Sequence, residues 1–292
     1  MSTRISAIRN NVQDRTSEAW KKLCEYVDEL ADNGGGEFSP KEVLGAELFS
    51  EIRELPESIA KLNKVKKVWL YGSMIERIPP EIGEMESLEF FDPYTSYELH
   101  WLPYEIIRCK RLKGSRISTR ALYGNCKNRM GFPGLDRNPV RYAQETVKCS
   151  ICNKEMDYDK TNQLWVSLRI GTDVVPLLIN SFSEQCESLI LSPPENYVPY
   201  PHKGGSSLKQ PLTEDEKWKL EVENPEKSDQ IKPEVEVVEK EERKLFSFNP
   251  KDLGKTMNRG KAHNERINLT PKSSAAIAAP LFWARYTYRY AL

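Results

Sequence analysis

The sequence predicts an α/β fold: a solenoid of short parallel strands, then a small C-terminal β-hairpin cysteine module and a disordered tail. Three observations predict it. A phrase recurs at a near-constant interval, as LPESIAKLNKV (55–65), IPPEIGEMESL (78–88) and LPYEIIRCKRL (102–112). An amphipathic helical stretch precedes these repeats. Two apolar runs, LWVSLRI (164–170) and VVPLLI (174–179), flank the turn signal Gly171-Thr172-Asp173 after them.

The helix is expected over 16–32. Trp20, Leu23, Cys24, Val27, Leu30 and Ala31 fall on one stripe at helical spacing. Asn33 and the Gly34-Gly35-Gly36 run end it, because glycine takes up the left-handed cap at little cost. Cys24 lies on the apolar face and reads as core, not as a nucleophile. Ser39-Pro40-Lys41-Glu42 reads as a capping box with proline at the first helical position, so a short helix carrying Val43 and Leu44 follows. Residues 1–49 are therefore expected to form a helical cap on the repeats.

The Leu/Ile-Pro steps at 55, 78 and 102 are 23 and 24 residues apart. Other apolar positions keep step: Leu62, Met85 and Cys109; Val65, Leu88 and Leu112; Val68 and Phe91; Leu70, Pro93 and Ile117. A period of 20–29 residues with this spacing marks leucine-rich repeats. LNKVKKVWLYGSMIERIPPEI resembles the family pattern L-x-x-L-x-x-L-x-L-x-x-N-x-L-x-x-L-P. Serine (Ser73, Ser96) stands where that family has asparagine, and Pro93 occupies a strand column, where it cannot donate to a ladder. The resemblance spans about residues 50–118. It implies parallel strands on a concave face and Ile59, Ile82 and Ile106 filling the convex side. So few turns need caps at both ends, since each strand buries its apolar side only against its neighbours. ISTRALYGN (117–125) and MGFPGLD (130–136) are the expected C-terminal cap, which closes a domain of residues 50–140.

Strand alternation sends the residues between ladder positions outward. Three outward columns result: Lys67, Phe90 and Gly114; Trp69, Asp92 and Arg116; Tyr71, Tyr94 and Ser118. Exposed Trp and Tyr beside Arg match binding hot spots, although aromatics also suit strands for packing reasons alone. The expected function is a non-catalytic adaptor that takes a protein partner on this face.

Residues 141–205 form the cysteine-containing module. Cys149-Ser-Ile-Cys152 places two thiols on one knuckle at the spacing tetrahedral zinc takes. SFSEQCESL (181–189) resembles the second knuckle of treble-clef-type zinc modules, with Phe182 where that family has a cysteine. The resemblance implies Cys149, Cys152 and Cys186 as zinc ligands. The fourth is His202 or a water; in the competing reading Phe182 fills the corner, apolar packing holds the hairpin and no metal binds.

The remaining chain, 206–292, is expected to be a charged flexible linker and a basic aromatic tail. Phe282, Trp283, Tyr286, Tyr288 and Tyr290 lie among arginines, an arrangement compatible with stacking on single-stranded nucleic acid. A zinc-dependent adaptor or nucleic-acid-binding protein is therefore the alternative reading. Formal net charge is +0, which favours neither nucleic acid nor membrane. There is no apolar run of membrane length and no secretory h-region in MSTRISAIRNN, and the six cysteines do not suggest a disulfide framework. A cytoplasmic protein is expected. No phosphate-cradling glycine loop, G-x-S-x-G or H-E-x-x-H is present, so no enzymatic activity is expected.

Overall fold

The computed structural model describes residues 12–223. They form a mixed α/β structure around a parallel sheet. Helix α1 (Glu18–Asn33) starts at Ser17, whose hydroxyl accepts the Trp20 N–H, and ends at Gly34 with φ 69°. Its buried stripe is Ala19, Trp20, Leu23 and Val27. Helix α2 (Pro40–Phe49) begins on proline, but Ser39 makes no side-chain cap and the helix kinks at Gly45. The Ser39 N–H goes instead to the Tyr26 hydroxyl, 3.0 Å away, so no capping box forms. Between the helices lies β1 (Glu37–Phe38), a strand that helical periodicity did not predict.

Strands β2 (Lys67–Trp69), β3 (Phe90–Asp92) and β5 (Gly114–Ser115) join β1 in a parallel sheet of order β1-β2-β3-β5. Lys67 pairs with Phe90 and Phe90 with Gly114, so the pairing register follows the sequence period. Each crossover between neighbouring strands of this sheet passes through a 3-10 helix: Glu57–Lys61 before β2, Pro80–Glu84 before β3 and Tyr104–Arg108 before β5. Ile59, Ile82 and Ile106 point from them into the core, beside Leu62, Met85, Val65 and Leu88. Ser73 and Ser96 bond to each other at 2.7 Å, and Ser96 Oγ also donates to the Leu70 carbonyl. The two hydroxyls thus satisfy buried backbone between adjacent turns. Pro93 lies just past the end of β3, where its missing N–H costs no ladder bond.

The hairpin is longer than the apolar runs suggested. Strand β8 (Asn162–Ile170) pairs antiparallel with β9 (Asp173–Ser181), and β9 pairs parallel with β4 (Leu102–Pro103) at the third Leu-Pro step. Leu164, Val166, Leu168, Val175, Leu177 and Ile179 face the core built by the repeats. Trp165 and Leu178 on the other face pack with Trp101, Tyr123, Phe132 and Val140. Burial on both faces explains why these strands read as near-continuous apolar runs and not as alternation. A two-stranded sheet of β6 (Thr146–Lys148) and β7 (Glu155–Asp157) precedes the hairpin, and short helix α3 (Glu184–Glu187) follows it.

The tip of the hairpin meets the open edge of the parallel sheet, while Ile117 and Leu122 of the expected cap join the core of the repeats. Thr172 Oγ1 donates to the Ser115 carbonyl at 2.8 Å, and Ser115 Oγ donates to Asp173 at 2.7 Å. Tyr123, Phe132 and Leu135 instead cover the far side of the hairpin. Within the expected linker, Leu208 packs on the outer cluster and Glu214–Glu223 forms helix α4. The rest of the linker and the basic aromatic tail lie outside the described residues. Among those described, no helix is long and apolar enough to cross a membrane.

Candidate binding face and candidate metal centre

The exposed face of the parallel sheet collects the aromatic residues of the outward columns. Trp69 and Phe90 pack side by side with ring centroids 5.4 Å apart, and Tyr71 and Tyr94 with theirs 6.0 Å apart. Tyr71 and Tyr94 are nearly half exposed, at 49% and 46%. Lys67 lies over Trp69 and Arg116 over Tyr94, at cation–π distance. Neighbouring parallel strands thus align the aromatics into a strip bordered by cations.

Two residues of the predicted face are not on it. Asp92 is fully buried: its carboxylate accepts the Tyr94 N–H at 3.1 Å and pairs with the Arg116 guanidinium, whose Nε lies 3.0 Å away. The chain turns at Pro93, so Asp92 closes the end of the strand instead of projecting from it. Ser118 is buried for a related reason. Its hydroxyl accepts the N–H of Thr95, a residue held at φ 61° in the same turn. Arg116 stays exposed but has a structural task, because it neutralises Asp92.

Glu37 and Lys41 belong to this face and were missed. Glu37 accepts the Trp69 indole N–H at 2.8 Å and the Lys67 ammonium at 2.9 Å, which fixes both side chains and holds its own carboxyl below the usual range. Lys41 lies over the Tyr71 ring. The only sequence signal for β1 was Glu-Phe squeezed between a glycine run and Ser-Pro, too short to show a period.

At the far end of the hairpin, the sulfur atoms of Cys149, Cys152 and Cys186 lie within 4.8 Å of one another. Cys149 sits at the end of β6, Cys152 in the turn toward β7 and Cys186 in α3, where the Ser183 hydroxyl accepts its N–H. Tetrahedral zinc with Zn–S bonds of about 2.3 Å needs sulfurs about 3.8 Å apart, so small rotations close the set. Burial raises the pKa of the Cys149 thiol, against a smaller opposing pull from the backbone of Cys152, Ile151 and Phe182. The Lys154 N–H, first, and the neighbouring thiols lower that of Cys152. Three sulfurs converging near tetrahedral spacing are a donor set that a thiophilic cation takes once the thiols give up their protons. The residues present therefore fit a thiophilic cation.

His202 is not part of this cluster. It pairs with Trp165 on the edge of β8 away from β9, and its ring packs edge-on against Phe132 at 4.6 Å. Its Nδ1 accepts the Gly204 N–H, and burial lowers its pKa to about 4. It is a core histidine, placed by tertiary packing that its position in the sequence did not signal. Cys109 is likewise core: its thiol donates to the Ile82 carbonyl, and burial raises its pKa to about 12. The aromatic tail residues Phe282, Trp283, Tyr286, Tyr288 and Tyr290 lie outside the described residues. Compared with known proteins, the chain matches no family model, no curated protein and no solved structure.

Proposed function

We propose that the chain is a non-catalytic binding module of the leucine-rich-repeat type, which takes a protein partner on the exposed face of its parallel sheet. The carrying observation is the aligned strip of Trp69, Phe90, Tyr71 and Tyr94, bordered by Lys41, Lys67 and Arg116. Rigid aromatics with a polar rim bring large contact area at low entropy cost, which is the composition of binding hot spots. The pairing register that follows the sequence period supports the repeat reading. The test is capture from native lysate with the whole chain and with a Tyr71→Ala/Tyr94→Ala variant. These two side chains are exposed, whereas removing Arg116 would strand the buried charge of Asp92. A partner held by the wild type and weakened at least about tenfold by the variant supports this reading. Equal retention sinks it.

A second reading concerns the cysteine module, and the three convergent thiols favour it. In this reading Cys149, Cys152 and Cys186 hold zinc, which ties β6, the turn before β7 and α3 together and makes the chain a zinc-dependent adaptor. Metal analysis of the purified protein checks it: about one zinc per chain is expected, with loss on Cys152→Ser.

A further inference from the structure

The three thiols leave one tetrahedral corner without a protein ligand. No other Cys, His, Asp or Glu among the described residues joins the cluster, and His202 is committed to the outer core. Residue 182 is next to the cluster, between Asn180, whose N–H donates to the Ser150 hydroxyl within the Cys149–Cys152 knuckle, and Ser183, whose hydroxyl lies 3.5 Å from the Cys186 sulfur, but its side chain is a phenyl ring that cannot bind metal. Cys149 and Cys186 are buried, whereas Cys152 is exposed and Phe182 is 38% exposed, so the open side faces solvent. There the ammonium of Lys154 lies 3.6 Å from the centre of the Phe182 ring. Three thiolates on a divalent ion leave one net negative charge, which would repel an anion; Lys154 offsets it at the mouth of the site.

We propose that this centre is coordinatively open: its fourth ligand is a water, exchangeable for a small monodentate anion that enters past Phe182 and Lys154. The inference rests on the metal reading above. A closed structural site has four protein ligands, and one with three protein ligands and a water is the arrangement that admits outside molecules. The exchange is simple ligand substitution, with the anion in and the water out, and no electron moves.

Cobalt(II) in place of zinc tests it, because its visible bands report the ligand set. The whole chain, reduced and loaded with cobalt, is titrated with azide. The expected result is a saturable band shift in the wild type. A Phe182→Cys variant is expected to show a sulfur-richer spectrum that azide leaves unchanged. Lys154→Gln is expected to weaken azide about fivefold, the effect of one charge a few Å away in water, with cobalt affinity unchanged. A wild-type spectrum indifferent to azide overturns the open corner while leaving the metal reading intact. Failure of both cobalt and zinc to bind overturns both.

Discussion

Glu105 is a buried carboxyl whose burial carries an electrostatic cost. It is 2% exposed, and neither carboxyl oxygen has a hydrogen-bond partner of good geometry. It lines a cavity of about 490 Å³ with Glu81, Arg108, Gln144 and Lys148. Burial raises its pKa from 4.5 to about 7, against a smaller opposing pull from the Ser150 hydroxyl. Between those two values the folded state holds a proton that the unfolded state has lost. Stability from this group therefore falls as pH rises through that window and stays low above it. Glu105→Gln removes the effect. The variant should match the wild type near pH 4 and exceed it by up to about 3 kcal/mol at pH 8, read from urea midpoints. A variant equally or less stable at pH 8 would mean that an unseen partner satisfies the carboxylate. His202 works in the opposite direction. Its pKa falls from 6.5 to about 4, so its cost appears as pH drops through that range. The two slopes offset each other in the wild type, and the substitution is what exposes them.

The contact that finishes the sheet is made by the tip of the β8–β9 hairpin. Gly171 holds φ 57°, and a Cβ there would lie 2.7 Å from Ser115 Oγ and 3.0 Å from the Gly114 carbonyl carbon. Both the left-handed backbone and the close approach demand glycine. Gly171→Ala should cost about 2 kcal/mol, from strain plus the displaced Thr172–Ser115 bonds. Gly36→Ala, at a glycine with ordinary φ and open space around its Cβ, should change stability by less than about 0.5 kcal/mol. Equal effects at the two sites would refute the tip as the closing element. The hairpin was legible in the sequence because two apolar runs flank Gly171-Thr172-Asp173. Its destination was not, since Ser115 and Thr172 are 57 residues apart and neither position carries a periodic signal. The same distinction runs through the sheet. Lys67, Phe90 and Gly114 align because the period sets them in register. Asp92 and Ser118 broke alternation because the turn at Pro93 consumed their polar atoms. The three thiols were legible as a set, two from C-x-x-C spacing and one from the knuckle after β9. The fate of His202 depended on packing among Phe132 and Trp165, which spacing does not encode.

Apolar packing runs without a break from helix α1 to the hairpin. Leu23 and Ile59 belong to the same core as Leu177 and Ile179. The module boundary expected at residue 141 therefore does not mark a gap in the core. Parts that share a core open together, because separating them exposes apolar surface on both sides at roughly 25 cal/mol per Å². Amide exchange in β2 and β3 should accordingly show the same opening free energy as exchange in β8 and β9, converging at one denaturant midpoint. Zinc sharpens the test. A ligand that binds only the folded state adds about 4 kcal/mol at a thousandfold excess over its dissociation constant. The thiols lie at the edge of the hairpin module, on β6, the turn before β7 and α3. If that module folded by itself, zinc would slow exchange in β8 and β9 and leave β2 and β3 where they were. With one shared core, all four strands should gain the same protection. A gain confined to the hairpin would show that the repeats and the cysteine module are separate cooperative units. No gain anywhere, together with no bound zinc, would leave the shared core to be judged on the metal-free exchange alone, where two distinct midpoints would refute it.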